Sequence, residues 1–175
     1  MSGRDALSGR DAPDGLVVRP MTAADAEAVA AIYTQGIEDR TATFETAPRT
    51  ASDVAGWPDQ GPVVVVERDG AVVGWASTSA YRPNRAAYAH IREFSVYVDR
   101  AARGAGVGRV ALTGLLALCP PAGVRKLVSR IFPENTGSLA LCRSLGFREV
   151  GTYHRHGMLD GAWKDVVVVE LLLDE

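Results

Sequence analysis

Residues 96–109 read VYVDRAARGAGVGR, and this stretch decides the fold because it joins an alternating strand to an amphipathic helix. Gly104, Gly106 and Gly108 stand at alternate positions between the two elements. Glycine lets backbone N–H groups converge without obstruction by Cβ, and the helix N-terminus adds a partial positive charge. Arg103 and Arg109 supply further positive charge. The pattern predicts a pyrophosphate-binding turn, and its plain alternative is a turn that only caps a helix.

Two other phosphate-binding motifs fit this turn poorly. A Rossmann fingerprint opens the first strand–helix unit and has an acidic residue about 20 positions later, whereas this turn is mid-chain and residues 123–125 read GVR. A Walker loop needs Gly-Lys followed by Ser or Thr, but Gly108 is followed by Arg109 and Val110.

Hydrophobic periodicity and turn residues predict the elements on either side of this turn. Period-two alternation indicates strands, and Arg68-Asp69-Gly70 is typical of a hairpin turn. Apolar residues at helical spacing indicate helices, with Thr22 and Thr50 as N-caps. The predicted strands are 16–19, 62–67, 71–79, 88–98, 126–132, 147–153 and 162–173, and the predicted helices are 22–36, 50–58, 106–118 and 135–145. The order predicts an α/β fold, a mixed central sheet of about seven strands with helices on both faces.

Composition narrows the class of protein. The chain has 175 residues, of which 47% are hydrophobic, as expected for one domain with a sizeable core. A net charge of -2 leaves no global basic field, so neither nucleic acid nor an anionic membrane is expected as a partner. The apolar runs are strand-sized, and two cysteines with three histidines match neither a disulfide framework nor a metal site. A cytoplasmic location is therefore expected.

The N-terminus differs from the rest of the chain. Its first fifteen residues repeat Ser-Gly-Arg-Asp-Ala twice and contain no apolar stretch of the kind found in signal peptides. We expect a disordered leader over 1–15 and a single domain over 16–175.

Two motifs in this chain resemble those of the GNAT acetyltransferases. Arg103-x-x-Gly106-x-Gly108 is similar to the pyrophosphate-binding motif of that superfamily, and Asn135-x-x-Ser138 followed by Leu145-Gly146-Phe147 resembles its helix beside the pantetheine arm. The resemblance implies acetyl-CoA as co-substrate and a homodimer. The residues that it implies for contact with acetyl-CoA are Val96, Tyr97, Val98, Arg103, Gly104, Ala105, Gly106, Val107, Gly108, Arg109, Asn135 and Ser138.

Other stretches narrow the resemblance to the phosphinothricin N-acetyltransferases. These stretches are residues 37–46, residues 85–88 with 93–98, and Gly161-x-Trp163-x-Asp165-Val166. Residues 103–108 and 129–135 look most like the branch that acetylates arsinothricin, the arsenic analogue of phosphinothricin.

Glu93 is the candidate general base. Acetyl transfer to an amine requires the amine to lose its proton, and alternation places Glu93 on the same strand face as Ser95 and Tyr97. The resemblance matches Glu93 to the catalytic glutamate, which acts directly or through water. The alternative is an ordinary strand carboxylate paired with an arginine.

Two further catalytic roles are stabilisation of the oxyanion and protonation of the leaving thiolate. A backbone N–H around Val98 is expected to stabilise the oxyanion, as the family implies. Many GNAT enzymes protonate the leaving thiolate with a tyrosine seven residues after the motif asparagine, but Cys142 stands there. Either the thiolate leaves unprotonated or another donor such as Tyr97 serves.

The acceptor side is predicted from charge and from the resemblance. Guanidinium groups bind carboxylate, phosphinate or arsinate oxygens, which makes arginines on loops near the acceptor candidates. The predicted substrate-binding residues are Thr43, Phe44, Arg82, Arg85, Tyr88 and Arg130. His154 and His156 are interpreted as exposed strand residues and not as metal ligands, and the three tryptophans are interpreted as packing residues.

The sequence therefore predicts an N-acetyltransferase that acetylates the α-amine of a small glutamate-like amino acid, phosphinothricin or arsinothricin, and so gives resistance to that toxin. Methionine sulfoximine or sulfone is an alternative acceptor. A catalytically silent acyl-CoA-binding sensor is the alternative outside enzymes, and the presence of Glu93 argues against it.

Overall fold

The computed structural model describes Pro13 and residues 15–173, so the predicted leader lies outside the described residues apart from Pro13 and Gly15. The described residues form seven strands and five α-helices. The strands are β1 (Leu16–Pro20), β2 (Val63–Arg68), β3 (Ala71–Ala80), β4 (Ile91–Val98), β5 (Lys126–Ile131), β6 (Arg148–Leu159) and β7 (Ala162–Leu172). The helices are α1 (Ala26–Glu38), α2 (Ala51–Val54), α3 (Trp57–Gln60), α4 (Val107–Leu118) and α5 (Thr136–Ser144).

All seven strands belong to one sheet, in the order β1-β2-β3-β4-β5-β7-β6. Every neighbouring pair is antiparallel except β4 with β5, which are parallel and are connected through α4. The β2–β3 hairpin turns at Asp69 and Gly70, both with positive φ, as a type I′ hairpin turn requires. The predicted mixed sheet is confirmed.

The sheet has a hydrophobic core on each face, and the alternation of β2 shows why. Val63 and Val65 pack with α1 and Trp75, whereas Val64 and Val66 pack with the residues of α4 on the other face. All four valines are at most 3% exposed. A strand buried on both faces is a continuous apolar run, and the predicted helices on both faces are confirmed.

Two predicted boundaries are wrong. Pro58 does not close the second helix but lies in the first turn of the separate helix α3, where its missing N–H costs nothing. The strand predicted to begin at Tyr88 begins instead at Ile91, because residues 86–88 form a 3-10 turn.

Strand β6 also runs further than its apolar pattern indicates. It continues to Leu159 through register irregularities between Glu149 and Gly151 and between Tyr153 and Gly157. These irregularities break the two-residue alternation from which the sequence would predict a strand.

Close packing of α4 on β1 generates a prediction of stability. A Cβ placed on Gly114 would lie 2.5 Å from Cγ2 of Val18, whereas a Cβ on Gly137 of α5 would meet no atom within 4 Å. Gly114→Ala should therefore lower the free energy of unfolding by about 1–3 kcal/mol through overpacking. Gly137→Ala, the matched control, should leave it unchanged or raise it by up to about 1 kcal/mol through helix propensity.

Equilibrium unfolding in urea, followed by circular dichroism, measures both variants. Equal stability of the two would show that Val18 moves aside at no cost and that the α4–β1 contact is not close-packed.

Candidate active site

The site begins where the two parallel strands separate. Strands β4 and β5 pair only over Ile91–Glu93 with Lys126–Val128, although β4 continues to Val98 and β5 to Ile131. The Ser129 Oγ donates a hydrogen bond of 3.0 Å to the carbonyl oxygen of Phe94, just beyond the last paired residues. A side chain thus satisfies a backbone acceptor at the point where β4 and β5 separate, which we call the fork.

Two adjoining cavities lie at this fork. The first, the Glu93 cavity, has a volume of about 530 Å³ and the second, the glycine-loop cavity, about 420 Å³. Both are lined by Ala42, Val96, Tyr97, Asn135, Ser138 and Leu141. Because they share this wall, a molecule bound in one cavity can reach the other.

The glycine-loop cavity has the features of an anion site. Gly104 and Gly106 have φ of +78° and +81°, which side chains rarely adopt, and Gly106 is the N-cap residue of α4. The first N–H groups of α4 therefore have no partner within the helix. These donors and the positive end of the helix favour an anion such as pyrophosphate.

Both predicted arginines line this cavity. The Arg103 Nη2 donates to Oδ2 of Asp39 at 2.6 Å, and the Arg109 Nη1 donates to the Ser144 hydroxyl at 2.8 Å. Asp39 also accepts from Arg100, and these two guanidinium groups lower the pKa of its carboxyl despite partial burial. Asp39, which the sequence analysis did not single out, ties the end of α1 to the loop before α4.

The other predicted cofactor contacts occupy this region, with one exception. Asn135 is the N-cap of α5, and its Oδ1 accepts a hydrogen bond from the Ser138 N–H at 3.3 Å. Ala105 does not line the cavity, whereas the glycines on either side of it do.

The Glu93 cavity holds an ion pair between its two strands. Oε1 of Glu93 accepts a hydrogen bond of 2.7 Å from Nη2 of Arg130. Nη1 of Arg130 lies 3.5 Å from Nε2 of His156, which also lines the cavity. Glu93 is thus paired with an arginine, as the alternative interpretation of this residue expected, but it also faces the cavity.

Thr43 and Phe44 lie in the loop after α1 and line the same cavity. The Phe44 ring meets the Phe132 ring edge-on, with centroids 4.9 Å apart, and it covers Gly157 so closely that a Cβ there would lie 2.6 Å away. These aromatic rings form the apolar wall.

Tyr33 and Tyr97 form part of the cavity floor, in an aromatic cluster with Trp57 and Trp75. Burial raises the pKa of both tyrosine hydroxyls. Both therefore stay protonated at neutral pH.

Three predicted substrate residues lie elsewhere. Arg82, Arg85 and Tyr88, all within the described part of the chain, line neither cavity. They lie in the loop between β3 and β4, where the Arg82 guanidinium lies 5.5 and 5.3 Å from the ring centroids of Tyr81 and Tyr88. The lining of the cavities thus gives no support to the expected acceptor contacts of these three residues.

The histidines differ from each other. His154 is exposed and lies 2.9 Å from a carboxylate oxygen of Asp165, outside both cavities. His156 enters the Glu93 cavity because the irregular register of β6 shifts this part of the strand. No pattern in the sequence distinguishes the two, so His156 was not predicted as a site residue.

The described residues contain no cluster of three or more His, Cys, Asp or Glu side chains placed to hold a metal ion. Among the same residues, no helix is long and apolar enough to span a bilayer.

Known proteins share this architecture. The Acetyltransferase (GNAT) family matches residues 29–147. The chain is similar to a phosphinothricin N-acetyltransferase of Alcaligenes faecalis, with 36% identity over 87% of this chain and 80% of that protein. It is similar to an L-methionine sulfoximine/L-methionine sulfone acetyltransferase of Pseudomonas paraeruginosa, with 31% identity over 90% and 94%. A phosphinothricin acetyltransferase from Sinorhizobium meliloti, solved with acetyl-CoA, superposes with a TM-score of 0.83 at 32% identity, covering 91% and 89%.

The cysteines generate a prediction about reactivity. Burial raises the pKa of Cys142, which lines the Glu93 cavity, to about 11 and that of Cys119 to about 12. At about pH 8 both thiols should therefore be protonated as well as enclosed, and the thiolate is the reactive form. Titration with a chromogenic disulfide should detect no fast thiol in the folded protein and both after unfolding in guanidinium chloride. A fast thiol that disappears in Cys142→Ala would show that the cavity opens to the reagent.

Proposed function

The chain belongs to the acetyltransferase (GNAT) family, and we propose that it transfers the acetyl group of acetyl-CoA to the α-amine of a small amino acid. The acceptor that we propose is a glutamate analogue with a tetrahedral oxyanionic head, phosphinothricin or arsinothricin. Acetylation would occur in the cytoplasm, within a single domain over residues 16–175, and would give resistance to that toxin. The sequence motifs had indicated the same family.

One observation carries the proposal: a cavity that contains a carboxylate meets a cavity that is built for an anion. Transfer between two substrates requires each to have its own site and the reacting atoms to meet. Val96 and Tyr97, which line both cavities, mark the meeting point.

The residues of the glycine-loop cavity suit the pyrophosphate of acetyl-CoA. Gly104 and Gly106 leave the backbone accessible, the first turn of α4 presents its N–H groups, and Arg103 and Arg109 supply positive charge. Bound there, acetyl-CoA supplies an activated acetyl thioester. The backbone between Val96 and Val98 lies free of β5 and can offer N–H donors toward the fork.

Glu93 is the proposed general base. Its carboxylate lies at the last paired residue of β4 and faces the cavity, where it can take a proton from the acceptor ammonium directly or through water. Removal of that proton exposes the lone pair that attacks the acetyl carbon.

Neither the buried Tyr97 hydroxyl nor the buried Cys142 thiol is well suited to protonate the leaving thiolate. The Cys142 thiol, with a pKa of about 11, is a weaker acid than an ordinary thiol, and burial likewise raises the pKa of the Tyr97 hydroxyl. We therefore assign no general acid in this chain, and the thiolate leaves unprotonated.

Arg130 and the aromatic wall define the acceptor. The guanidinium is the only Arg or Lys group that the described residues contribute to the Glu93 cavity, and it binds an anionic oxygen, while Thr43 and the Phe44–Phe132 wall contact the side chain. A single guanidinium also matches methionine sulfoximine or sulfone, whose carboxylate is the sole anion. One of the relatives bears that name, which makes these compounds the second candidate.

A direct assay tests the function. Purified protein is incubated with acetyl-CoA and, in parallel, with arsinothricin, phosphinothricin, methionine sulfoximine, methionine sulfone, glutamate and a peptide amine, and thiol release is recorded. We expect saturable turnover with a tetrahedral-headed amino acid and none with glutamate. Binding of CoA without turnover of any acceptor would favour the silent sensor.

Glu93→Gln provides the second prediction for this function. The variant should lose about 10²- to 10⁴-fold in kcat because the amide accepts no proton, while its Kd for CoA stays unchanged. Glu149→Gln is the matched control, since this exposed carboxylate pairs with Arg143 outside both cavities. Unchanged turnover in Glu93→Gln would remove Glu93 as the base, and calorimetric titration with CoA separates binding from chemistry.

We propose further that the protein is a homodimer through the β6 edge of the sheet. Met158 and Trp163, directly opposed on β6 and β7, are 52% and 58% exposed, and Tyr153 is 54% exposed. A long edge strand beside exposed apolar groups is a surface that proteins usually cover. A second copy would cover it.

Trp163→Lys tests the dimer. A charge in an apolar interface opposes association, so the variant should elute as a monomer in size-exclusion chromatography with light scattering. Val17→Lys is the control, because Val17 is 57% exposed on β1 at the opposite edge. A dimeric Trp163→Lys protein, or a monomeric Val17→Lys protein, would place the interface elsewhere.

A further inference from the structure

The ion pair between Glu93 and Arg130 has a role beyond joining two strands. We propose that Arg130 makes Glu93 available as a base only to acceptors that bring a negative charge of their own. The inference rests on the proposed acetyltransferase function. It assigns Arg130 as the residue that selects anionic acceptors and His156 as the residue that positions it.

The two partners of the pair lie on one face of the sheet. Glu93 is directly opposite Val128, and Arg130 lies two residues further along β5, so alternation directs both side chains to the same side. The 2.7 Å contact crosses the strands where they begin to separate. The cavity thus opens beside the ion pair.

The pair is accessible and therefore exchangeable. The side chain of Arg130 is 46% exposed and that of Glu93 is 28% exposed. Ion pairs that solvent reaches contribute little net stability. An acceptor oxygen can therefore replace Glu93 on Arg130 at little energetic cost.

His156 holds the other end of the guanidinium. Its Nε2 lies 3.5 Å from Nη1, whereas Glu93 binds Nη2, and the ring of Tyr153 packs against the imidazole at 5.0 Å. With Nη1 kept beside His156, Nη2 can exchange its partner without the side chain leaving the cavity. His156 thus positions the Arg130 guanidinium while Nη2 changes its partner.

Charge decides which acceptors can enter. The amine of an amino acid arrives as an ammonium, and Arg130 on Glu93 presents a positive charge at the place where the ammonium must bind. An acceptor with an anionic oxygen attracts Arg130 and leaves its ammonium opposite Glu93, so that the four charges alternate in sign. Glu45, the other charged residue in the cavity lining, pairs with Arg49 and leaves this balance unchanged.

A purely structural ion pair would behave differently. In that case Arg130→Gln would lower the stability of the protein and would change turnover of all acceptors by the same factor. Selection by charge changes the ratio between acceptors instead.

The experiment compares three acceptors with the full-length protein and acetyl-CoA. They are phosphinothricin, methionine sulfone, and the α-carboxamide of methionine sulfone, which has no anionic group. The wild type should prefer the two anionic acceptors. Arg130→Gln should lose about 10- to 100-fold in kcat/KM for them and keep or gain kcat/KM for the carboxamide, because a charge-assisted hydrogen bond is lost.

Two further variants make the outcome specific. Arg130→Lys, which keeps the charge, should recover part of the preference, and His156→Ala should raise KM for the anionic acceptors while leaving kcat unchanged. Arg143→Gln, which breaks an Arg–Glu pair outside both cavities, is the control and should match the wild type. Thermal unfolding confirms that each variant is folded.

The results separate the two proposals. If the wild type acetylates none of these amines and none of the acceptors in the thiol-release assay, arsinothricin included, the proposed function is wrong and the inference is refuted with it. If the wild type is active but Arg130→Gln lowers kcat/KM for all three acceptors equally, the function stands and selection by Arg130 is refuted.

Discussion

The short pairing of β4 with β5 is the constraint on which the whole site depends. The two parallel strands share only three paired residues and then separate, so the sheet opens in its middle and not at an edge. Glu93 is the last paired residue of β4, and the Ser129 hydroxyl donates a hydrogen bond to the carbonyl oxygen of Phe94 just beyond it. The free backbone of β4 beyond Glu93 is a consequence of that separation, since a continuous ladder would have paired it with β5.

The segment from Asp39 to Glu45 joins the two halves of the site. Asp39 pairs with Arg103 at the glycine loop, whereas Phe44 packs on Phe132 in the Glu93 cavity. A few residues therefore contact both binding regions. Asp39 is also an anion beside the glycine-loop cavity, where it accepts a hydrogen bond from the Arg103 guanidinium.

The sequence predicted the features that depend on local chemistry. The glycine turn before α4, the hairpin turn at Arg68-Asp69-Gly70 and the two strands that this turn joins each follow from local sequence patterns, and the structure contains all three. Features that depend on strand register could not be predicted from local sequence patterns. His156 enters the cavity through irregular pairing in β6, and Asp39 meets Arg103 across 64 residues of sequence. Arg82 and Arg85 line neither cavity, and their contact with the acceptor stays a prediction, because a charged loop gives no indication of its direction.

Because side chains alternate along β4, the two faces of this strand have different surroundings and different roles. Phe94 belongs to the core with α4 and α5, whereas Tyr97 packs with Trp75 on the α1 face, which Glu93 shares. The α4 face thus anchors the strand through apolar burial, and the α1 face carries Glu93 and Tyr97, while Val96 of the α4 face also lines both cavities. A one-residue shift of β4 would turn Glu93 into the α4 core, so the register that stabilises the sheet also places this carboxylate in the cavity.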